Sequence, residues 1–180
     1  MRYASIRNLY ISNGANIGVA LFVQGCDRNP HCKNCFNSET WDFNGGKEWT
    51  EKTKNKFMEL IDRPYIKRIS ILGGEPLAEQ NLDDVLSLIK EIRISFPEKT
   101  IWLYTGYEFE DFFFTPIWKA SEINSNEKRR KIISLCNVVV DGEYIDEQKD
   151  LSLRFRGSKN QRVIDVKQSL TQNKIVLYCD

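Results

Sequence analysis

The chain has 180 residues, 41% hydrophobic and 12% aromatic, with 26 Lys and Arg against 25 Asp and Glu. This length suits one domain, residues 1–180, with a real core, and the aromatic share excludes a disordered chain. The charge balance excludes attraction of nucleic acid or membrane by bulk charge, no apolar run approaches the roughly 18 residues of a membrane span, and Met1 to Tyr10 holds two Arg and no apolar stretch, so no signal peptide is expected.

The first strand is expected at Gly18 to Gln24, a β-branched and aromatic run that ends at a cysteine-bearing loop. A helix follows from Thr50 to about Ile61, with Thr50 as N-cap, Glu51 in its first turn and Pro64 beyond its end. The second strand, Ile66 to Leu72, runs directly into Gly73-Gly74-Glu75-Pro76. Leu82, Val85, Leu86, Leu88, Ile89 and Ile92 then repeat at helical spacing, which predicts a helix from about Leu82 to Ser95 before Pro97.

Thr100 to Tyr104 is the third strand and leads into Thr105-Gly106-Tyr107. A helix near Glu127 to Leu135 precedes the fourth strand, Cys136 to Val140, which ends in Asp141-Gly142. The Glu127-Lys-Arg-Arg-Lys131 run is expected on a solvated helix face. Shorter strands are expected at Arg162 to Val166 and Lys174 to Tyr178. Strands separated by helices predict an α/β fold with a mostly parallel sheet, whose reactive groups gather at the carboxyl ends of the strands.

Five cysteines are unevenly placed: Cys26, Cys32 and Cys35 share one loop, while Cys136 and Cys179 stand alone in apolar, strand-like surroundings that suit core or terminal roles. The crowding beside the single His31 argues for a metal or cluster site in a reducing compartment, not a disulfide framework. Soft thiolates select zinc or an iron–sulfur cluster. Zinc would want a fourth ligand, and His31, adjacent to Cys32, is poorly placed to supply it. Three cysteines without a fourth suit a cluster with one iron left open to substrate. On spacing alone, a cluster, a zinc-binding interaction module and three free thiols all remain open.

The motifs taken in order resemble the radical S-adenosylmethionine (SAM) superfamily. They run from Ile11-Ser-Asn-Gly14 through Leu21-Phe-Val-Gln-Gly-Cys26, Cys35-Phe-Asn-Ser-Glu-Thr-Trp41 and Leu72-Gly-Gly-Glu-Pro-Leu77. Trp102-Leu-Tyr-Thr-Gly-Tyr107, Val139-Val-Asp-Gly142 and Arg156-Gly-Ser-Lys-Asn-Gln161 complete the set. Within the superfamily the pattern is most similar to the activating proteins of anaerobic ribonucleoside-triphosphate reductases. Two features depart from the usual pattern. Five residues, Asp27 to His31, separate the first two cysteines where the superfamily has three, a spacer expected to bulge outward and to be stiffened by Pro30. The aromatic that many members carry before the last cysteine is here Asn34, with Phe36 just after it.

The resemblance implies an open, partial parallel βα barrel with a [4Fe-4S] cluster on Cys26, Cys32 and Cys35 at its C-terminal rim. It implies SAM as second cofactor, bound by Asn34, Phe36, Gly73, Gly74 and Glu75, the glycine turn receiving its amino group. The chemistry implied is reductive cleavage of SAM and formation of a glycyl radical on the large reductase subunit, without a catalytic acid–base triad. Tyr107, Arg156, Asn160 and Gln161 then fall on the rim facing a substrate or partner, and that partner would close the open side of so short a barrel. The electron donor would be of flavodoxin or ferredoxin type, and the compartment the cytoplasm. An activase of pyruvate formate-lyase type, or a radical SAM enzyme acting on a small molecule, would share the same two loops.

Overall fold

The computed structural model describes residues 1–114 and 119–179. Its strands are β1 (Arg2–Tyr10), β2 (Gly18–Val23), β3 (Lys47–Glu48), β4 (Arg68–Gly73), β5 (Thr100–Tyr104), β6 (Val138–Asp141) and β7 (Arg162–Asp165). They form one open sheet in the order β3-β1-β2-β4-β5-β6-β7. The four central strands are parallel, as expected from the helices between them: Leu21 pairs with Ile71, Ile71 with Leu103, and Leu103 with Val139. Both flanks are antiparallel, β1 and β3 on one side and β7 on the other.

The period of two along each strand divides the sheet into two faces. Val19, Leu21, Val23, Ile69, Ile71, Ile101, Leu103, Val139 and Ile164 join the main core on one face. The partners there come from α1 (Glu51–Ile61), α2 (Leu82–Ser95), α3 (Ile123–Ser134) and α4 (Val166–Gln172), among them Phe57, Ile61, Leu88, Ile89, Ile92, Ile132 and Val166. The alternate residues Ala20, Phe22, Leu72, Trp102, Val138, Val140 and Val163 face away and form two smaller clusters that contain no helix residue. Each β–α–β crossover therefore lies on the same side, which leaves the opposite face for the loops and the site.

Several local signals act as read. Thr50 caps α1 by accepting from the Thr53 amide at 3.2 Å. α2 spans Leu82–Ser95 and presents its periodic residues to the core. Other elements differ. α3 begins at Ile123, before the expected Glu127, and its last turn carries on through the Cys136 amide bonded to Ile133, so β6 starts only at Val138. Within the expected solvated run, Arg129 is 8% exposed, donating from Nε to the Leu77 carbonyl at 2.8 Å and from Nη1 to Asn126 at 2.8 Å.

The expected strand at Lys174 to Tyr178 is an isolated bridge between Leu177 and Ile164. Ser169 accounts for this: its hydroxyl takes the Val176 amide at 2.9 Å and turns the chain back onto α4. Cys136 is buried, and Cys179 packs on the helix-free cluster around Trp102, so both stay away from the cysteine loop.

Candidate active site at the carboxyl ends of the strands

The loop after β2 leaves the sheet at Gln24 and is closed at its base by backbone bonds from Gly25 to the Thr40 carbonyl (2.8 Å) and from Cys26 to that of Trp41 (3.0 Å). The Gln24 side chain donates to the Glu39 and Asp42 carbonyls from beneath. Cys26, Cys32 and Cys35 are all free, and all three line one cavity of about 490 Å3. Among the described residues no group of three or more His, Cys, Asp or Glu side chains is arranged to hold a metal ion as it stands. Burial pushes the Cys26 thiol up to about 11 and raises that of Cys32 as well, which favours the protonated thiols at neutral pH.

The Gly73-Gly74-Glu75 turn borders the same cavity. Its backbone is fastened to the cysteine loop, with the Gly74 amide on the Val23 carbonyl (2.9 Å) and the Glu75 amide on that of Gly25 (2.7 Å). Gly74 lies so close to Gly25 that a Cβ would overlap the Gly25 carbonyl. The buried Asn81 side chain bridges the Gln24 and Glu75 carbonyls at 3.1 and 3.0 Å.

Glu75 is 2% exposed. Its carboxylate accepts from the Leu77 amide (2.9 Å), the Thr105 hydroxyl (2.9 Å) and the Gly106 amide (2.8 Å), so it binds the turn to the loop after β5. Burial nevertheless raises its pKa from the usual 4.5 to about 7, the three donors pulling the other way. A carboxylate has about four acceptor positions, and three of them are filled here.

The five-residue spacer, expected to bulge outward, is pinned across the rim instead. Tyr107 donates its hydroxyl to Asp27 at 2.9 Å, Arg28 donates to the Gly106 carbonyl at 2.8 Å and pairs with Glu143, and the His31 ring stacks on Trp41 at 4.3 Å. His31 thus acts as a loop residue. Asn34 is exposed, does not line the cavity, and donates to Asp146 at 2.7 Å. Phe36 does line it, its ring 4.9 Å from that of Tyr144.

On the far rim, Asn160 and Gln161 are spent on their own loop. Asn160 donates to the Glu143 carbonyl and accepts from Ser158, whereas Gln161 accepts from the Gly157 and Ser158 amides and donates to the Gly142 carbonyl. Arg156 lines the cavity with a buried Nε, and among the described residues it has no hydrogen-bond or ion-pair partner. Asp27, Arg28, Asn81 and Thr105 were not legible as site residues; the only hint was their position beside the cysteines, the GGEP turn and the Thr-Gly pair.

These features test the implied cofactors. Three free thiols lining one cavity are the soft donor set that an iron–sulfur cluster takes. A cavity of about 490 Å3, flanked by Phe36 and Tyr104 and holding the unpartnered Nε atoms of Arg28 and Arg156, has the size and mixed lining of a small-ligand site. Among the described residues no helix is long and apolar enough to cross a membrane.

Comparison with known proteins agrees with this chemistry. Residues 12–164 match the family described as 4Fe-4S single cluster domain. The chain is 35% identical over 165 residues to the anaerobic ribonucleoside-triphosphate reductase-activating protein of Escherichia coli K12, covering 91% of this chain and 97% of that one. The proteins of the same name from Vibrio cholerae and Enterobacteria phage T4 are 32% and 33% identical, over 89% and 91% of this chain and 96% and 93% of theirs. No solved structure matches the chain.

Proposed function

The chain belongs to the 4Fe-4S single cluster domain family and to that of the anaerobic ribonucleoside-triphosphate reductase-activating proteins, and from that premise we propose that it is a radical SAM activase of such a reductase. The observation that carries the reading is the meeting of three free thiols and the Gly-Gly-Glu turn around one cavity, at the carboxyl ends of parallel strands. In this reading the open sheet is part of a radical SAM barrel in a single domain.

Cys26, Cys32 and Cys35 would hold a [4Fe-4S] cluster, and the backbone of Gly73 and Gly74 with Glu75 would receive the amino group of SAM. When bound, these cofactors supply the hard chemistry: one electron cleaves the sulfonium to methionine, and a hydrogen atom leaves a backbone glycine of the reductase, which keeps the radical, to give 5′-deoxyadenosine. Phe36 offers an apolar surface to the adenosyl moiety, and Asn34 steadies the loop through Asp146. Arg156 is a cation left available to a ligand or client, whereas Tyr107, Asn160 and Gln161 hold the rim together. The protein partners in this reading are the large reductase subunit and a low-potential electron donor of flavodoxin or ferredoxin type.

The test is anaerobic cluster reconstitution, followed by incubation with SAM, a one-electron reductant and a candidate large subunit. Formation of 5′-deoxyadenosine together with a glycyl-radical signal on that subunit is the expected result. Deoxyadenosine without a radical on the reductase would remove the client. A colourless protein with one zinc and neither iron nor sulfide would remove the chemistry as well.

A further inference from the structure

The spacer between the first two cysteines contains a residue whose contacts exceed those of a loop side chain. Arg28 reaches two other rim loops, donating from Nη1 to the Gly106 carbonyl at 2.8 Å and pairing through Nη2 with Glu143. The Gly106 peptide is held from both ends, since its amide donates to Glu75 at 2.8 Å. A continuous chain, Glu75–Gly106–Arg28–Glu143, therefore ties the Gly-Gly-Glu turn, the loop after β5, the cysteine loop and the loop after β6. Gly106 is fitted to this arrangement: a Cβ there would lie 3.0 Å from Arg28 Cδ. Arg28 lines the cavity, and its buried Nε has no hydrogen-bond partner among the described residues.

As a plain ion pair, with side chains 30% and 46% exposed, Arg28 and Glu143 would contribute little to stability. The placement has more bearing on the cavity. Arg28 and its partner Glu143 line the same cavity as Cys26, Cys32 and Cys35.

We infer that Arg28 is a positioning residue for the cluster, pinning the long Cys26–Cys32 spacer across the rim and setting a fixed positive charge beside the thiolates that eases one-electron reduction. The inference rests on the cluster assignment above. A positive charge near a cluster with anionic ligands favours its reduced form, because local charge is one of the protein's means of setting a cluster potential. The electron comes from an external low-potential donor, and the cluster gains one negative charge with no bond made or broken.

The experiment reconstitutes the full chain and its Arg28→Gln, Arg28→Lys and Glu143→Gln variants, measuring iron and sulfide per chain and the reduced fraction by EPR at one fixed applied potential. In Arg28→Gln the ratio of reduced to oxidised cluster is expected to fall roughly three- to tenfold, while Arg28→Lys stays within about twofold of the parent. Glu143→Gln, which removes a negative charge, shifts the ratio the other way. An Arg28→Gln cluster with full iron and an unchanged ratio would overturn the inference. Should Arg28→Gln lose the cluster while Arg28→Lys keeps it, the positioning role stands. Should both lose it, an unshifted or lowered ratio in Glu143→Gln overturns the inference. A parent chain that assembles no iron–sulfur cluster is a separate result, read before any variant, and it removes the functional reading and this inference together.

Discussion

Glu75 shows how a residue picked out for binding can also be structural. Its three hydrogen bonds hold together two loops that both border the cavity, and its burial makes it titrate near neutrality. The folded-state pKa, about 7, lies above the ordinary 4.5. The stability tied to its protonated form is therefore complete below about 4.5 and is lost as pH rises through about 7. Glu75→Gln removes this component, so the parent should gain urea stability relative to the variant between about pH 8 and about pH 5. Glu110, held below the usual carboxylate range by Arg162, shifts in the opposite sense and is common to both proteins. A parent-minus-variant difference that stays flat with pH would show that Glu75 does not titrate in this window.

The glycines allow a second comparison between single residues. Gly74 is needed because the Gly25 backbone occupies the space of a Cβ, whereas Gly142 has φ +88° but nothing nearer than 3.7 Å to where a Cβ would stand. Gly74→Ala should cost about 3 kcal/mol or more through overlap of main chains, and Gly142→Ala about 1 kcal/mol through φ alone. Equal losses in urea unfolding would contradict this division. Arg28, by contrast, was hidden in the sequence: its partners lie 78 and 115 residues away. Arg129 is buried within a run of charges, and such a run carries no sign in the sequence of which member turns inward.

Elements were legible where periodicity and capping agreed. α2 has six apolar residues at helical spacing and Thr50 is a side-chain cap, so a propensity-level reading located both. β1 carries no such signal, since its residues are half-buried or exposed on both faces and its place depends on pairing with β2. β3 has only two residues and α4 only seven, too short for a period to show. The capping bond gives a prediction at this scale: Thr50→Ala should cost about 1 kcal/mol and Thr50→Ser far less, because serine keeps the oxygen that accepts from Thr53. Denaturant unfolding of the two variants checks it, and equal losses would mean that the threonine methyl, not the cap, carries the effect.

At the scale of the molecule, the fold separates what keeps the chain folded from what does chemistry. The helix-covered core draws on the strands and helices, and no fully buried member of it comes from residues 24–48 or 141–162, the segments that carry the thiols and the far rim. Those segments are fastened by polar bonds such as Asn34–Asp146, Lys33–Glu147 and Arg28–Gly106, lying over the face that no helix covers. The site should therefore open without unfolding the sheet. Removing the cluster by chelation is expected to leave far-UV circular dichroism and cooperative unfolding of the core in place, unlike small metal-folded domains that collapse without their ion. Hydrogen exchange should rise at 26–43 and 143–161, while β2, β4 and β5 keep their protection. Loss of protection across the central strands on chelation would mean that the thiols hold the whole fold and would remove the separation argued from the core.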